Sequence, residues 1–209
     1  MLGMTTNSVT GLILAGGKGS RMGGLDKGLQ PFNKTSLVKN ALNRLQHQEG
    51  TPLTDCMIVA NRNINEYKKL GVPVWQDSVE GFAGPLAGFL TGMQHCQTAL
   101  VLTVPCDCPK FPLNLAPKLW LAMADNKVDV AMVATQTIEG EIRLQPVFCM
   151  FRAGLANNLH QFMLEGGRKI ETWVKLQNYV TVVFDDPADS DAFANANTVQ
   201  ELQRLEELP

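Results

Sequence analysis

Residues 9–22 read Val-Thr-Gly-Leu-Ile-Leu-Ala-Gly-Gly-Lys-Gly-Ser-Arg-Met. The first six are mostly apolar, which is typical of a short buried strand, and Gly16 and Gly17 follow almost at once. Glycine lets the backbone approach a ligand closely, and successive N–H groups in such a loop form a concavity that binds anions. Arg21 and Lys27 add cationic donors. The stretch therefore predicts a polyphosphate-binding loop at the end of a strand.

Two familiar phosphate loops do not fit this spacing. The Walker pattern ends in Gly-Lys-Ser or Gly-Lys-Thr, whereas this loop continues as Arg21-Met22-Gly23-Gly24. The dinucleotide fingerprint needs a third glycine at the position that Met22 occupies. The glycines alone would also suit a plain turn between a strand and a helix; the basic residues and the preceding strand favour a phosphate site.

Apolar runs and helical spacing alternate along the rest of the chain. Further strands are predicted at 56–60, 72–75, 99–104, 128–133, 146–151 and 180–184. Helices are predicted near 37–45, from Pro85 to 93, at 115–125, 153–165 and 169–176, and after Thr198, which has capping-box spacing to Glu201. This alternation predicts an α/β fold: a Rossmann-like, doubly wound, mostly parallel sheet with helices on both faces. We expect a single domain over 9–209, preceded by a flexible lead over 1–8.

Composition excludes several classes of protein. The 209 residues are 45% hydrophobic and 18% charged, which supplies a sizeable core and argues against disorder. The formal charge of −2 lacks the basic excess of a nucleic-acid binder, and no apolar run approaches the roughly 20 residues of a membrane span. The odd count of five cysteines favours reduced thiols and a cytoplasmic protein.

A second candidate site follows the most apolar run, 99–104, where the chain continues as Pro-Cys-Asp-Cys-Pro over 105–109. A carboxylate at the carboxyl end of a central strand faces the ligand crevice of such sheets, so Asp107 is a candidate for holding Mg²⁺ against phosphate oxygens. The alternative is an Asp that caps the next turn. Cys106 and Cys108 lack the spacing and the second Cys/His pair of a zinc site.

Six further polar residues are candidates. Asp77 and Asn61 follow predicted strands on the crevice side, and the former is placed to accept hydrogen bonds from a base edge; a turn and a solvated loop are the alternatives. Arg168 and Lys169 follow a Gly-Gly pair and are candidates for a second anionic substrate, or else form an exposed basic loop. Asn195 and Asn197 precede the last helix as turn formers or as substrate contacts.

Taken together, these motifs resemble a known family. The loop over 14–22 resembles that of nucleotidyltransferases that activate sugar phosphates, and its continuation Gly-Gly-Leu-Asp-Lys-Gly-Leu over 23–29 resembles the molybdenum cofactor guanylyltransferases. Three later motifs fit the same family in the same order, namely Gly-Pro-Leu-Ala-Gly (84–88), Pro-Cys-Asp (105–107) and Phe-Ala-Asn-Ala-Asn-Thr (193–198). The resemblance spans nearly the whole chain.

The resemblance implies an enzyme that transfers GMP from GTP to the phosphate of molybdenum-bearing molybdopterin and releases pyrophosphate, with Mg²⁺ as cofactor. It also implies contact with molybdoenzymes or with the enzyme that supplies molybdopterin. Site residues carried over by the matched motifs are Leu14, Ala15 and Gly16 for the nucleotide, Lys27 for phosphates, Asn61 and Asp77 for guanine and ribose, and Asp107 for the metal; we add Gly17 to the nucleotide set from its place in the loop.

The chain departs from the family at two positions. Some members have Asn-Ala-Asn-Arg where this chain has Val59-Ala-Asn-Arg62, so the first Asn and one expected nucleotide contact are missing. Thr198 is followed by valine rather than proline. Other readings stay open: a cytidylyl- or sugar-phosphate transferase of the same fold, a non-catalytic GTP-binding module for cofactor delivery, and a structural protein.

Overall fold

The computed structural model describes residues 8–15, 26–50, 53–78, 84–137, 140–186, 189, 191–196 and 198–207. The strands within these ranges are β1 (Val9–Leu14), β2 (Pro31–Phe32), β3 (Thr35–Ser36), β4 (Asp55–Val59), β5 (Val74–Trp75), β6 (Leu100–Pro105), β7 (Val130–Gln136), β8 (Ile142–Arg152) and β9 (Tyr179–Phe184). The α-helices are α1 (Leu37–Gln46), α2 (Ile64–Lys68), α3 (Pro85–His95), α4 (Leu115–Asn126), α5 (Ala156–Leu164), α6 (Ile170–Lys175) and α7 (Val199–Glu207).

Seven strands form one sheet in the order β5-β4-β1-β6-β8-β7-β9. β8 runs antiparallel to both of its neighbours, and the other pairings are parallel. The predicted mostly parallel sheet is therefore confirmed. The chain passes from β1 through α1 to β4 on one side, and later reaches β6 on the other side of β1. Such a reversal of strand order leaves a crevice at the carboxyl ends of the strands, where ligands bind in this class of fold.

Helices cover both faces of the sheet. Side chains of α1 and α4 pack with one face in the larger buried cluster. The opposite face packs against α3, α5 and α6, with Trp173 of α6 fully buried. A smaller cluster joins α7 to the two-stranded hairpin β2–β3 through Phe32, Leu202 and Leu205. The described residues thus form the single α/β domain that the sequence predicts, with the C-terminal helix packed beside the segment that follows the glycine-rich loop.

The structure also explains the residue that replaces the family's asparagine. Val59, at the end of β4, is 2% exposed and belongs to the core cluster under α3. An apolar side chain suits that position.

Of the predicted lead over 1–8, only Ser8 lies within the described residues, and its carbonyl accepts a hydrogen bond from the N–H of Leu100. Among the described helices, none has the length and apolar character that crossing a membrane requires.

Candidate functional site

The carboxyl ends of three parallel strands lie side by side at the centre of the sheet. Leu14 of β1 is in register with Val59 of β4 and with Pro105 of β6. The N–H of Ala15 donates to the carbonyl of Val59 at 2.8 Å, and the N–H of Cys106 donates to the carbonyl of Leu14 at 3.1 Å. These bonds extend the sheet by one residue, so the glycine-rich loop begins between the ends of β4 and β6.

The loop itself covers positions that the structure does not describe. Gly16, Gly17 and Arg21 lie outside the described residues, so their roles stay predictions. Leu14 and Ala15 lie at its start, as the strand prediction requires, and Ala15 is 9% exposed. The described chain resumes at Asp26, directly before a short 3-10 turn over Lys27–Leu29.

Lys27 and Asp107 meet at this edge of the sheet. The Nζ atom of Lys27 lies 2.6 Å from Oδ2 of Asp107 although 80 residues separate them in sequence. Their side chains are 20% and 21% exposed, so the pair is partly shielded yet open to an incoming ligand. The structure therefore brings together the predicted phosphate-binding lysine and the predicted metal-binding carboxylate. A positive and a negative group side by side can bind both a polyphosphate and its counter-cation.

Asp107 suits Mg²⁺ in its donor set. Mg²⁺ in nucleotide sites is held by one or two carboxylates, with the remaining ligands supplied by phosphates and water. Asp107 offers one carboxylate at a partly exposed strand end, and the described residues contain no group of three His, Cys, Asp or Glu side chains that could hold a metal by themselves. A Mg²⁺ ion held there by one carboxylate would need phosphate oxygens and water as its other ligands.

Asn61 and Asp77 form a second polar pair, at the neighbouring strand ends. The Nδ2 atom of Asn61 donates to Oδ2 of Asp77 at 2.6 Å, and the N–H of Asp77 donates to Oδ1 of Asn61 at 2.9 Å. Burial raises the pKa of the Asp77 carboxyl, and the hydrogen bond from Asn61 opposes that rise. The two residues predicted to contact guanine and ribose are therefore hydrogen-bonded to each other.

Asn195 lies beside Asp107 on a segment from the C-terminal part of the chain. The thiol of Cys108 donates to Oδ1 of Asn195 at 2.7 Å, and the N–H of Ala196 donates to the carbonyl of Asp107 at 2.8 Å. A cavity of about 260 Å³ opens here, and its lining residues are Pro105, Asp107, Gln145, Pro146, Val147, Phe148 and Asn195. Asn197 lies outside the described residues, and Gln145 is a lining residue that no sequence motif singled out.

The two cysteines next to Asp107 are buried. Burial, with a smaller contribution from the neighbouring Asp107 carboxylate, raises the pKa of both the Cys106 and the Cys108 thiols. Both therefore stay protonated near neutral pH, whereas the thiolate is the form that binds metals and attacks electrophiles.

Arg168 and Lys169 belong to a different depression. It has a volume of about 380 Å³ and is lined by Phe162, Glu165, Gly166, Gly167, Arg168, Lys169, Thr172 and Leu176. The guanidinium of Arg168 donates to the carbonyls of Met163 and Gly167. This depression shares no lining residue with the cavity at Asp107, so the structure does not place these two predicted residues beside the Lys27–Asp107 pair.

A cluster around Asp26 was missed at the sequence level. Its carboxylate accepts hydrogen bonds from the Tyr67 hydroxyl at 2.6 Å, from Nδ2 of Asn63 at 3.0 Å and from the N–H of Gly28 at 3.2 Å. Only the last contact has a local signal, because Asp commonly bonds a backbone N–H two residues further on. The other two depend on how the segment over 63–68, which follows β4, packs against the turn at Asp26.

Sequence comparisons find a matching family model and similar proteins. Residues 11–182 match the model of the MobA-like NTP transferase domain. The molybdenum cofactor guanylyltransferase of Albidiferax ferrireducens is 50% identical over 206 residues, which cover 96% of this chain and 97% of that protein. The protein of the same name from Ralstonia nicotianae is 49% identical over 206 residues, covering 97% and 98%.

Solved structures agree on the fold. The crystal structure of molybdopterin-guanine dinucleotide biosynthesis protein A from Archaeoglobus fulgidus superposes with a TM-score of 0.70. It is 19% identical in sequence, and the match covers 95% of this chain and 97% of that one. At that identity the likeness concerns the fold.

Proposed function

The chain belongs to the MobA-like NTP transferase family, and from that premise we propose that it transfers GMP from GTP to the phosphate of molybdenum-bearing molybdopterin. It is an enzyme of the nucleotidyltransferase class. The choice of GTP and of the acceptor rests on the relatives of about half-identical sequence that are named molybdenum cofactor guanylyltransferase. The observation that carries the chemistry is the Lys27–Asp107 pair at the carboxyl ends of β1 and β6.

The reaction is a single in-line displacement. An oxygen of the molybdopterin phosphate attacks the α-phosphorus of GTP and forms a new P–O bond. The bond between the α-phosphorus and the bridging oxygen breaks, and pyrophosphate leaves with that electron pair. No covalent intermediate on the protein is required, so the protein contributes positioning and charge stabilisation.

Lys27 acts on the phosphates. Its ammonium group lies at the partly exposed edge where the loop's triphosphate is expected to bind, and charge gathers on the pyrophosphate oxygens as the bond breaks. A positioned cation there lowers the barrier because it interacts more strongly with the transition state than with bound GTP. Arg21 and the loop N–H groups at Gly16 and Gly17 are proposed to share this role.

Asp107 is the proposed Mg²⁺ ligand. When bound, Mg²⁺ neutralises charge on the phosphate oxygens and orients them. The side chain of Lys27 donates a hydrogen bond to Asp107, so a triphosphate that drew the ammonium group toward its own oxygens would leave this carboxylate free to hold the ion.

The remaining candidate residues are assigned either to GTP, which donates GMP, or to molybdopterin, which accepts it. Leu14 and Ala15 at the end of β1, with the Asn61–Asp77 pair beside them, are proposed to hold the nucleoside of GTP. Asn195 lines the cavity next to Asp107 and is proposed to contact molybdopterin there, together with Asn197. Arg168 and Lys169 remain candidates for more distant parts of that substrate, since they line a separate depression.

The state of the cysteines bears on the cellular compartment, and the proposed substrates suggest the protein partners. All five cysteines are free and buried, as suits a reducing compartment, and we place the protein in the cytoplasm. Molybdoenzymes and the enzyme that supplies molybdopterin are the proposed protein partners.

Product analysis tests the proposal. The protein is incubated with molybdenum-bearing molybdopterin, Mg²⁺ and either GTP or CTP, and the pterin products are identified by mass spectrometry. We expect a dinucleotide that carries GMP. A cytosine dinucleotide would contradict the assignment of the base, and GTP binding without any dinucleotide would contradict the reaction.

A further inference from the structure

Lys27 stands in a turn that one carboxylate holds in place. Asp26, directly before it, is the N-cap of the 3-10 turn, and its Oδ1 accepts a hydrogen bond from the N–H of Gly28, directly after it. The carboxylate thus bridges the backbone on both sides of Lys27, which restricts the backbone angles of that residue. The direction in which the lysine side chain leaves the chain depends on Asp26.

Asp26 is in turn held by two side chains from the segment that forms α2. The hydroxyl of Tyr67 donates to Oδ1 at 2.6 Å, and Nδ2 of Asn63 donates to Oδ2 at 3.0 Å. Asn63 adopts φ +50°, the left-handed region that asparagine tolerates better than most residues. Both carboxylate oxygens are therefore fixed from the far side of the turn.

Tyr67 fits closely against the turn. Its side chain is fully buried in the cluster on the α1–α4 face of the sheet. A Cβ atom on Gly28 would lie 2.5 Å from the Tyr67 oxygen, so only glycine leaves room for this hydroxyl. Burial and the hydrogen bond to Asp26 raise the pKa of Tyr67, and the hydroxyl therefore stays protonated and continues to donate throughout the neutral pH range.

We propose that Tyr67 is a positioning residue for nucleotidyl transfer, whose hydroxyl acts through Asp26 to hold Lys27 where it meets Asp107. This inference rests on the proposed function for the role of Lys27. The competing interpretation is that the hydroxyl stabilises the fold alone. The two interpretations make different predictions for the effect of removing the Tyr67 hydroxyl from a protein that already lacks the Lys27 side chain.

Kinetics separate the two interpretations. Tyr67→Phe keeps the buried ring and removes one oxygen, and Tyr179→Phe makes the same change at the other tyrosine, which is 36% exposed on β9. A hydrogen bond to a charged acceptor is among the stronger ones, so we expect Tyr67→Phe to lower kcat roughly tenfold and Tyr179→Phe to leave it unchanged. In a Lys27→Ala background, Tyr67→Phe should lower kcat no further, because the Tyr67 hydroxyl affects transfer only through the position of Lys27. An equal loss of kcat in both backgrounds would overturn the proposal.

A second readout needs no substrate. The accessibility of the Lys27 amine to an acylating reagent is measured by mass spectrometry in the wild type, Tyr67→Phe, Tyr179→Phe and Asp107→Asn. We expect labelling of Lys27 to rise in Tyr67→Phe toward the level in Asp107→Asn, and to stay at the wild-type level in Tyr179→Phe. Wild-type labelling in a folded Tyr67→Phe protein would overturn the proposal. Increased labelling together with no transfer of GMP by the wild type would refute the proposed function and leave the positioning role standing.

Discussion

At the residue scale, the central feature is the ion pair between Lys27 and Asp107, for which we propose different roles: the lysine binds phosphates and the carboxylate binds Mg²⁺. Lys27 and Asp107 neutralise one another at 2.6 Å while both keep about a fifth of their side-chain surface exposed. A partly exposed pair contributes little to stability, because solvent screens it and the side chains lose entropy. We expect the pair to matter more for the proposed chemistry than for folding.

Removing either side chain of the pair should therefore affect the reaction and leave the fold intact. Asp107→Ala should fold and lose Mg²⁺-dependent transfer, while Lys27→Ala should fold and lower the rate by about 10²–10³, the usual loss when a donor to a transition-state oxyanion is removed. Lys175→Ala, which breaks the exposed Lys175–Glu171 pair on α6, serves as the matched control. Steady-state rates and circular dichroism are the measurements. Full turnover by Asp107→Ala would contradict its metal role, and an unchanged rate for Lys27→Ala would show that this lysine acts elsewhere.

At the element scale, α3 sets the position of β1, whose end carries the loop. Gly88 and Gly92 lie against Leu14 and Leu12, so the helix approaches the strand more closely than larger residues would permit. A Cβ on Gly92 would overlap the Leu12 side chain, which is fully buried and has little room to move. The close approach is therefore part of what holds the carboxyl end of β1 in place.

Substituting Gly92 tests this packing. Helix propensity alone would make Gly92→Ala about 1 kcal/mol more stable, but overpacking of a dense core typically costs about 1–3 kcal/mol. We expect a net loss of about 1 kcal/mol in the free energy of unfolding, measured with urea. Gly154→Ala, where an added Cβ meets open space, should show no loss. Equal stability of the two variants would contradict the account of α3.

The same scale shows which elements can be predicted from sequence. α1, α3 and β6 carry long apolar patterns, and their predicted bounds agree closely with the structure. The capping box also forms: Thr198 Oγ1 accepts from the N–H of Glu201, and the Glu201 carboxylate accepts from the N–H of Thr198. The hairpin β2–β3 and the five-residue α2 were not predicted, because elements this short show no periodicity of their own. The equally short strand β5 was predicted only because it lies within the apolar run at 72–75.

At the scale of the whole molecule, five buried thiols link stability to pH. Burial is the main cause that raises the pKa of each cysteine, to about 11 for Cys56. Unfolded thiols ionise near pH 8.5, so above that pH the unfolded chain releases protons that the folded chain retains. Their contribution to stability is full below about pH 8.5 and is lost as the pH rises toward the folded values.

We therefore expect the free energy of unfolding to fall between pH 8 and pH 10, by up to about 1.4 kcal/mol per pH unit for each thiol that stays protonated in the fold. Urea titrations across this range measure it. Cys149→Ala should be less stable at neutral pH because it leaves a cavity, but its unfolding free energy should fall less steeply with pH, by the contribution of one thiol. An unfolding free energy that stays constant or rises over this range would contradict the account.

The global arrangement also explains how far the site could be inferred. Parallel strands place their carboxyl ends at one edge, and this rule locates Asp107 near the loop from sequence alone. Tyr67 could not be found in this way, because its contact with Asp26 depends on the path of α2 after β4, which no pattern records. The identification of GTP and molybdopterin as substrates came from the resemblance of the loop motif to a known family. The chemistry of the loop residues alone predicts only a phosphate-binding site.

The most direct test of the central claim is pyrophosphate release measured with GTP or CTP, each with and without molybdenum-bearing molybdopterin, in the presence of Mg²⁺. We expect release only when GTP and the molybdopterin acceptor are supplied together, with near-complete loss of release in Asp107→Ala. Faster release with CTP, or GTP binding that never leads to release, would contradict the proposed reaction.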